Sequence, residues 1–232
     1  MTAIVSNLQA IRLAVAQAAH TAARDPASVT LLAVSKTFPA EAVREAYAAG
    51  QLAFGENYVQ EALDKIAALR DLPLEWHFIG PIQSNKTRVI AENFAWVHGV
   101  DRLKIAERLS AQRPAHLPPL NICLQVNVSG EDSKSGVAPG EAAALARAVG
   151  QLPHLKLRGL MAIPAPADDL AAQRRPFAQL HQLAQTITAQ GIALDTLSMG
   201  MSHDYAAAIQ EGATLIRIGT AIFGKRDYGE NK

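Results

Sequence analysis

The chain has a single cysteine and almost no net charge, and each of these shortages excludes a class of protein. Cys123 is the one cysteine in 232 residues, so no disulfide can form within the chain, and a lone thiol in an apolar segment suits a reducing compartment. The formal net charge of +1 gives no field that would attract nucleic acid or an acidic membrane. No apolar run is long enough to span a membrane, and the N-terminus lacks the pattern of a secretion signal. We therefore expect a cytoplasmic protein that binds neither nucleic acid nor membrane.

Apolar residues, in contrast, are plentiful and regularly spaced. Hydrophobic residues make up 49% of the chain and charged residues 19%, which is enough for a large buried core. An Ala-rich amphipathic helix is predicted over about residues 1–24, and strand-like and helix-like segments then alternate to the end. Eight such units favour one closed TIM (β/α)8 barrel over residues 1–232, with an extra N-terminal helix. An open α/β sheet more often has a glycine-rich turn after its first strand, and none is present here.

The predicted elements have the following bounds. The strands cover residues 29–35, 51–55, 74–80, 94–99, 120–128, 155–163, 194–199 and 214–218. The helices between them cover residues 40–49, 58–69, 85–92, 102–112, 140–150, 170–190 and 203–210. In a barrel of this kind, polar residues at the carboxyl ends of the strands are the candidates for a functional site.

Lys36 lies where the first predicted strand gives way to a loop, which is an unusual place for a lysine. A partly apolar surround at this end of a barrel disfavours the ammonium form and leaves an amine that can attack a carbonyl. The alternative is that Lys36 only marks the exit of the strand into water.

Two short segments after the seventh and eighth predicted strands form a candidate phosphate site. Ser202 follows a small loop, and Gly219 and Thr220 offer backbone amides and a hydroxyl at a helix start. Barrels often bind phosphate at this place in the strand order. The alternative is that Ser202 and Thr220 are only helix N-caps.

Arg217 is a charged residue within the last predicted strand. Strand alternation places it on the same face as Leu215 and Gly219, so its side chain should point into the barrel mouth. A guanidinium keeps its charge and needs a partner there, which is either a ligand or a structural carboxylate. The candidate phosphate site at Ser202, Gly219 and Thr220 is called the phosphate cup below. Together with a lysine that can hold an aldehyde and an arginine that can hold a ring nitrogen, this cup predicts that the protein binds pyridoxal 5'-phosphate.

Other motifs give weaker signals. His77 lies within a strand, where a lone histidine is usually a hydrogen-bonded core residue. The loop over residues 129–136 lacks the spacing of a phosphate loop and is interpreted as a polar turn. No cluster of His, Cys, Asp or Glu has the spacing of metal ligands.

Several long strings in the chain resemble the YggS/PROSC family, the pyridoxal-phosphate homeostasis proteins, which are similar to the N-terminal barrel of alanine racemase. The strings are LAVSK at 32–36, FGENYVQE at 54–61, HFIGPIQSNK at 77–86, QVNVSGE at 125–131, GLMAIP at 159–164, LSMGMS at 197–202 and RIGTAIFG at 217–224. The resemblance implies that Lys36 forms the internal aldimine and that Ser202, Gly219 and Thr220 contact the phosphate. It further implies that Arg217 lies near the pyridine nitrogen and that Asn57 lines the cofactor pocket.

One segment departs from the family pattern. After Ser202 the family usually has an acidic residue two positions on, followed by a Met-Glu pair. Asp204 is kept here, but Tyr205 and Ala206 replace the pair. Any role of the missing glutamate is therefore in doubt, whereas the lysine and the phosphate cup are unaffected.

The resemblance leaves a choice between a cofactor carrier and an enzyme. Racemases of this fold have a second, β-rich domain that supplies a catalytic tyrosine, whereas only residues 225–232 follow the last predicted unit here. Racemisation with two bases needs an acid or base on each face of the substrate, and only Lys36 is evident. We therefore expect a monomeric protein of vitamin B6 homeostasis that buffers the cofactor or passes it to apo forms of pyridoxal-phosphate enzymes. An amino-acid racemase, and a Schiff-base aldolase that binds a sugar phosphate, remain as alternatives.

Overall fold

The computed structural model describes residues 2–131 and 135–225, and its centre is a closed barrel of parallel strands. Eight strands follow one another around the barrel in chain order, and the last pairs with the first. This confirms the predicted fold class. The strands are β1 Thr30–Val34, β2 Ala53–Glu56, β3 Glu75–Phe78, β4 Trp96–Val100, β5 Leu120–Gln125, β6 Leu155–Met161, β7 Thr196–Ser198 and β8 Leu215–Ile218.

Helices connect the strands and supply the outer side of the main core. An N-terminal helix precedes the first strand, as predicted, and a short helix follows β8. The helices are α1 Ala3–Thr21, α2 Ala40–Ala48, α3 Val59–Ala68, α4 Thr87–Asn93, α5 Leu103–Gln112, α6 Ala142–Val149, α7 Leu170–Ala189, α8 Tyr205–Gln210 and α9 Thr220–Phe223. No helix among residues 2–131 and 135–225 combines the length and the apolar character needed to cross a membrane.

Strand alternation divides the apolar residues between two places. Ile216 and Ile218 of β8 belong to the large core that strands and helices share. Leu215 lies on the other face and packs with Leu32 and Ala53 inside the barrel. The interior is therefore a packed layer, and polar side chains that enter it need partners there.

The first helix ends earlier than its amphipathic pattern predicts. It stops at Thr21, and Ala23 then has a positive φ of 53°. Asp25 begins a short 3-10 turn by accepting a hydrogen bond from the backbone N–H of Ala27. The side chain of Arg24 donates to the backbone oxygens of Ile209 and Ala213, so tertiary contacts decide this boundary.

Two boundaries near the barrel mouth also differ from the prediction. The second strand extends through Glu56, which the sequence placed in the following loop. The fifth strand ends at Gln125 rather than at residue 128, and Val126 then forms an isolated bridge with Val137. Both differences change which polar side chains face the interior of the protein.

Candidate functional site

A cavity of about 350 Å³ opens at the carboxyl ends of the strands. All six residues that the sequence selected line this one cavity: Lys36, Asn57, Ser202, Arg217, Gly219 and Thr220. Apolar walls come mainly from Val34, Ile79, Pro81, Ile163 and Met201, and His203 lies at the same lining. The barrel therefore brings an amine, a guanidinium and two hydroxyls together from three distant parts of the chain.

The turn that carries Lys36 is held firmly on both sides. The backbone oxygen of Ser35 accepts a hydrogen bond from the N–H of Phe38 at 3.1 Å, which closes the turn. Thr37 adopts a left-handed conformation with φ of 70°, which is unfavourable for a β-branched residue. The ring of Phe38 stacks on that of Phe223 at 5.2 Å. These contacts fix the backbone from which the Lys36 side chain enters the cavity.

A buried charge cluster lies behind this turn. Lys65 Nζ donates to Glu56 Oε1 at 2.7 Å, to Glu61 Oε1 at 2.6 Å and to the backbone oxygen of Ser35 at 2.7 Å. Glu56 in turn accepts from Ser35 Oγ, and Glu61 accepts from the Thr37 N–H, both at 2.6 Å. Burial raises the pKa of Glu56, and its buried Oε2 has no hydrogen-bond partner in the part of the chain that the structure describes. The cluster therefore fixes the residues immediately before and after Lys36.

Sequence reasoning missed this cluster, although a signal existed. Lys65 lies three positions after Ala62 on α3, and this spacing places it on the buried face of the helix. A lysine on such a face requires a carboxylate partner. Glu61 lies one helical turn before Lys65, so the sequence already offered one carboxylate partner for this lysine.

Asn57 has an unused acceptor at the cavity. Its Oδ1 is buried and has no hydrogen-bond partner among the described residues. Gly80 packs directly against it, since a Cβ at that position would lie 2.7 Å from the Asn57 backbone oxygen. A buried amide oxygen without a partner is unfavourable, so a bound molecule that offers a donor would be stabilised there.

The candidate phosphate cup is formed by the segments after β7 and β8. The residue that precedes α8 is Asp204 and the residue that precedes α9 is Gly219, so neither Ser202 nor Thr220 is an N-cap. Asp204 Oδ1 instead accepts from the backbone N–H of Met201 at 2.6 Å and so orders the loop before Ser202. A Cβ on Gly219 would lie 3.2 Å from the backbone oxygen of Val34. The hydroxyls of Ser202 and Thr220 are thus not used for helix capping.

Arg217 is buried, and its hydrogen bonds to other described residues all go to neutral acceptors. Its Nη1 donates to the backbone oxygen of Ser198 at 2.7 Å and to Ser198 Oγ at 2.8 Å, and its Nη2 donates to the backbone oxygen of Ala162 at 2.9 Å. Within the described residues it forms no ion pair, so the structural carboxylate partner is not found. Burial lowers the pKa of Arg217 to about 10, which still leaves the guanidinium charged near neutral pH. Among the described residues, three of its five N–H groups donate hydrogen bonds, and Arg217 itself lines the cavity.

Neither His77 nor the described part of the segment over residues 129–136 contributes to this cavity lining. His77 is a buried strand residue, and each of its ring nitrogens takes part in a hydrogen bond, as predicted. The segment over residues 129–136, interpreted as a polar turn, includes residues 132–134, which lie outside the described residues. Of the segment over residues 225–232, only Lys225 is described.

Comparison with known proteins identifies the family. Residues 6–227 match the alanine racemase N-terminal domain. The pyridoxal phosphate homeostasis protein of Pseudomonas aeruginosa is 66% identical over 229 residues, which cover 99% of this chain and 98% of that protein. PipY of Synechococcus elongatus PCC7942, solved with PLP bound and without it, is 42% identical with a TM-score of 0.85, over 95% of this chain and 100% of PipY.

Alanine racemase of Corynebacterium glutamicum shows the same fold at a greater distance. It is 18% identical with a TM-score of 0.71, and the match covers 99% of this chain but 63% of the racemase. At this identity the likeness concerns the fold alone. The extent of the domain match and the identity to the Pseudomonas protein show that the chain belongs to the family of pyridoxal phosphate homeostasis proteins, which share the alanine racemase N-terminal domain.

Proposed function

We propose that this protein binds pyridoxal 5'-phosphate in the cavity at the barrel mouth, as a Schiff base on Lys36, and serves the intracellular homeostasis of vitamin B6. The observation that carries the proposal is the convergence of Lys36, Arg217 and the cup residues on one cavity of about 350 Å³. The PLP-bound structure of PipY, a relative at 42% identity, supports it.

The residues present fit the chemical groups of this cofactor. Pyridoxal phosphate supplies an aldehyde that condenses with amines, together with a phosphate and a pyridine nitrogen. The Lys36 amine, once deprotonated, replaces the aldehyde oxygen, which leaves as water. Ser202, Thr220 and the backbone at Gly219 hold the phosphate, and the unpaired Asn57 Oδ1 accepts a hydrogen bond. Every group of the cofactor then has a complementary group in the cavity.

Arg217 decides how the pyridine ring is used. Its charged guanidinium has only donors to offer, so it holds the ring nitrogen as an acceptor and disfavours a proton there. An unprotonated ring is a weak electron sink, and most pyridoxal-phosphate enzymes depend on a strong one. The arrangement therefore favours a protein that holds the cofactor without turning over amino acids.

A racemase is the second candidate, because the barrel matches that of alanine racemase. Racemisation needs an acid or base on each face of the substrate carbon. Of the described residues that line the cavity, Lys36, His203 and Arg217 carry ionisable groups. His203 is exposed and directly follows Ser202 of the proposed cup, so we assign it to the phosphate side of the cavity.

The proposal extends to partners and compartment. Apo forms of pyridoxal-phosphate enzymes are the natural recipients of a cofactor held by a reversible bond, because transimination releases it to another lysine. We further propose that residues 1–232 act as a single-domain monomer in the cytoplasm, without nucleic acid or membrane partners. The nearly neutral net charge and the buried single thiol of Cys123 support this placement.

A visible spectrum of the purified protein, before and after borohydride, tests the proposal. A Schiff base between lysine and pyridoxal phosphate gives a visible absorption band that borohydride removes, whereas the Schiff base of a sugar-phosphate aldolase lacks the conjugated pyridine ring and gives no such band. A protein that takes up no pyridoxal phosphate, even when it is added in excess, would refute the proposed function.

A further inference from the structure

A line of hydrogen bonds crosses the barrel interior from its amino-terminal rim to the cavity. Glu75 Oε1 lies 2.8 Å from His77 Nε2, and His77 Nδ1 lies 2.9 Å from His98 Nε2. His98 Nδ1 lies 2.8 Å from Ser198 Oγ, which also accepts from Arg217 Nη1 at 2.8 Å. His77, His98 and Ser198 are buried, whereas the Glu75 side chain is 51% exposed. The line thus joins a carboxylate at the surface to the guanidinium that lines the cavity.

The two ends of this line fix the position of every proton in it. The pKa of Glu75 is lowered, first of all by its hydrogen bond to His77, so the carboxylate only accepts. His77 must then donate from Nε2. Arg217 at the other end has only donors, so Ser198 Oγ accepts from it and directs its own proton to His98 Nδ1.

Both histidines between these ends are neutral and share one tautomer. Burial lowers the pKa of His77 and lowers that of His98 well below its usual value, with His77 and Arg217 adding to the effect on His98. A neutral His77 that donates from Nε2 accepts at Nδ1, and therefore His98 donates to it from its own Nε2. All donors then point in one direction, from Arg217 towards Glu75.

The line supplies one of the three hydrogen bonds that hold Arg217 in the described structure, and the other two go to backbone oxygens. Ser198 Oγ stays in place as an acceptor for Arg217 while its proton is bound to His98, and His98 is oriented in turn by His77. We propose that Glu75, His77, His98 and Ser198 are positioning residues that aim the remaining N–H groups of Arg217 at the ring nitrogen of pyridoxal phosphate. This inference rests on the proposed function, because the ring is the target of the guanidinium.

A purely structural explanation is the competing one. The ring of His77 stacks on Trp96 almost in parallel, with an interplanar angle of 6° and 5.3 Å between centroids, so the histidines also fill space in the barrel. Packing alone predicts that changes in this region alter stability only. A positioning role predicts that changes propagate along the line to the cavity.

The first experiment reads the proton order in the apo-protein by ¹H–¹⁵N NMR of the histidine rings. We expect His77 and His98 to carry their proton on Nε2 at neutral pH. Glu75→Gln offers both a donor and an acceptor at the surface, so the order is no longer fixed and the ring signals of His98, which residue 75 does not touch, should shift or double. Glu92→Gln is the matched control, since that exposed carboxylate pairs with Arg88. A proton on Nδ1 of either histidine, or unchanged His98 signals in Glu75→Gln, would overturn the proposal.

The second experiment uses the protein loaded with pyridoxal 5'-phosphate. Ser198→Ala removes the hydroxyl that links His98 to Arg217, and we expect a shifted absorption band and cofactor dissociation about threefold to tenfold weaker. Thr196→Val is the control. It also removes a hydroxyl from β7, but among the described residues this hydroxyl donates to Asp195 and not to the line. A Ser198→Ala band and dissociation constant equal to those of the wild type would overturn the positioning role. A wild-type protein that takes up no pyridoxal phosphate would instead overturn the proposed function, and the positioning role would fall with it. The proton order of the histidines can still be measured in the apo-protein, so the two failures can be told apart.

Discussion

Lys65 and Glu56 form a buried ion pair of 2.7 Å directly behind the turn that carries Lys36. Their side chains are 5% and 0% exposed, so each charge depends on the other. Through Ser35 and Glu61 the pair reaches both neighbours of Lys36. The stability of the barrel and the placement of the candidate Schiff-base lysine are therefore linked.

The ion pair gives the first prediction, which concerns folding. Lys65→Met should lower the free energy of unfolding by about 3–5 kcal/mol, because Glu56 is left as a buried charge without a partner. The loss should shrink at lower pH, since a protonated Glu56 needs no cation. Urea denaturation of the apo-protein measures it. Arg44→Met is the control, since it breaks an exposed pair with Asp71 and should lose at most about 1 kcal/mol. Equal losses in the two variants would contradict the prediction.

The phosphate cup gives a prediction about cofactor retention. Thr220→Ala should weaken the binding of pyridoxal phosphate by about 0.5–1.5 kcal/mol, or up to about 3 kcal/mol if the lost bond is to charged phosphate. The melting temperature of the apo-protein should not change, since Thr220 caps no helix. Ser202→Ala should behave alike. Thr186→Ala, on the exposed face of α7, should change neither quantity. Lower apo-protein melting with unchanged cofactor dissociation would count against the cup.

The buried histidines give a prediction about pH. Burial holds the pKa of His77 and His98 below the ordinary value of 6.5, so the unfolded chain takes up protons that the folded protein does not as the pH falls through about 6.5. The free energy of unfolding should therefore fall on acidification, by at most about 1.4 kcal/mol per pH unit for each histidine. Denaturation between about pH 7.5 and 5.5 measures this slope, which should be shallower in His98→Gln. The same slope in both proteins would be incompatible with this origin.

The carrier proposal predicts exchange without racemisation. Adding L-alanine to the loaded protein should change its spectrum, since transimination needs only an accessible bound aldehyde group and a lysine. The configuration of the alanine should stay the same, because the proposed function assigns His203 to the phosphate side of the cavity and leaves Lys36 as the one acid or base for the α-carbon among the described lining residues. Incubation in deuterated water, followed by chiral analysis and mass spectrometry, measures both. Deuterium at the α-carbon together with racemisation on the order of 1 per second would contradict the carrier proposal and favour the racemase.

The sequence predicted the fold and the cavity lining because both depend on local patterns. Apolar runs mark strands buried on both faces, and their alternation with helical periods is enough to indicate a barrel. In such a barrel every strand ends on the same side, so Lys36, Ser202 and Thr220 could be placed together without knowledge of the side chains, whereas Asn57 was implied by the family resemblance.

The supporting contacts could not be predicted in the same way, because they depend on strand register and on distance along the chain. Trp96 of β4 pairs with His77 of β3, so the two side chains lie on the same face. His98 lies two residues after Trp96 on β4 and therefore also points into the barrel, next to His77. Ser198 is 100 residues away from His98, and only barrel closure brings them together. The buried role of Lys65 likewise needs Glu56 to belong to β2, one residue beyond the predicted strand.

Borohydride trapping followed by peptide mass mapping tests the central claim most directly. After loading with pyridoxal 5'-phosphate and reduction, the pyridoxyl group should be found on the peptide that contains Lys36. Lys36→Ala should lose the visible band yet stay folded in the apo-form, because the half-buried Lys36 lies at the cavity and not among the packed apolar residues. A label found mainly on another lysine, such as Lys86 or Lys134, would contradict the account.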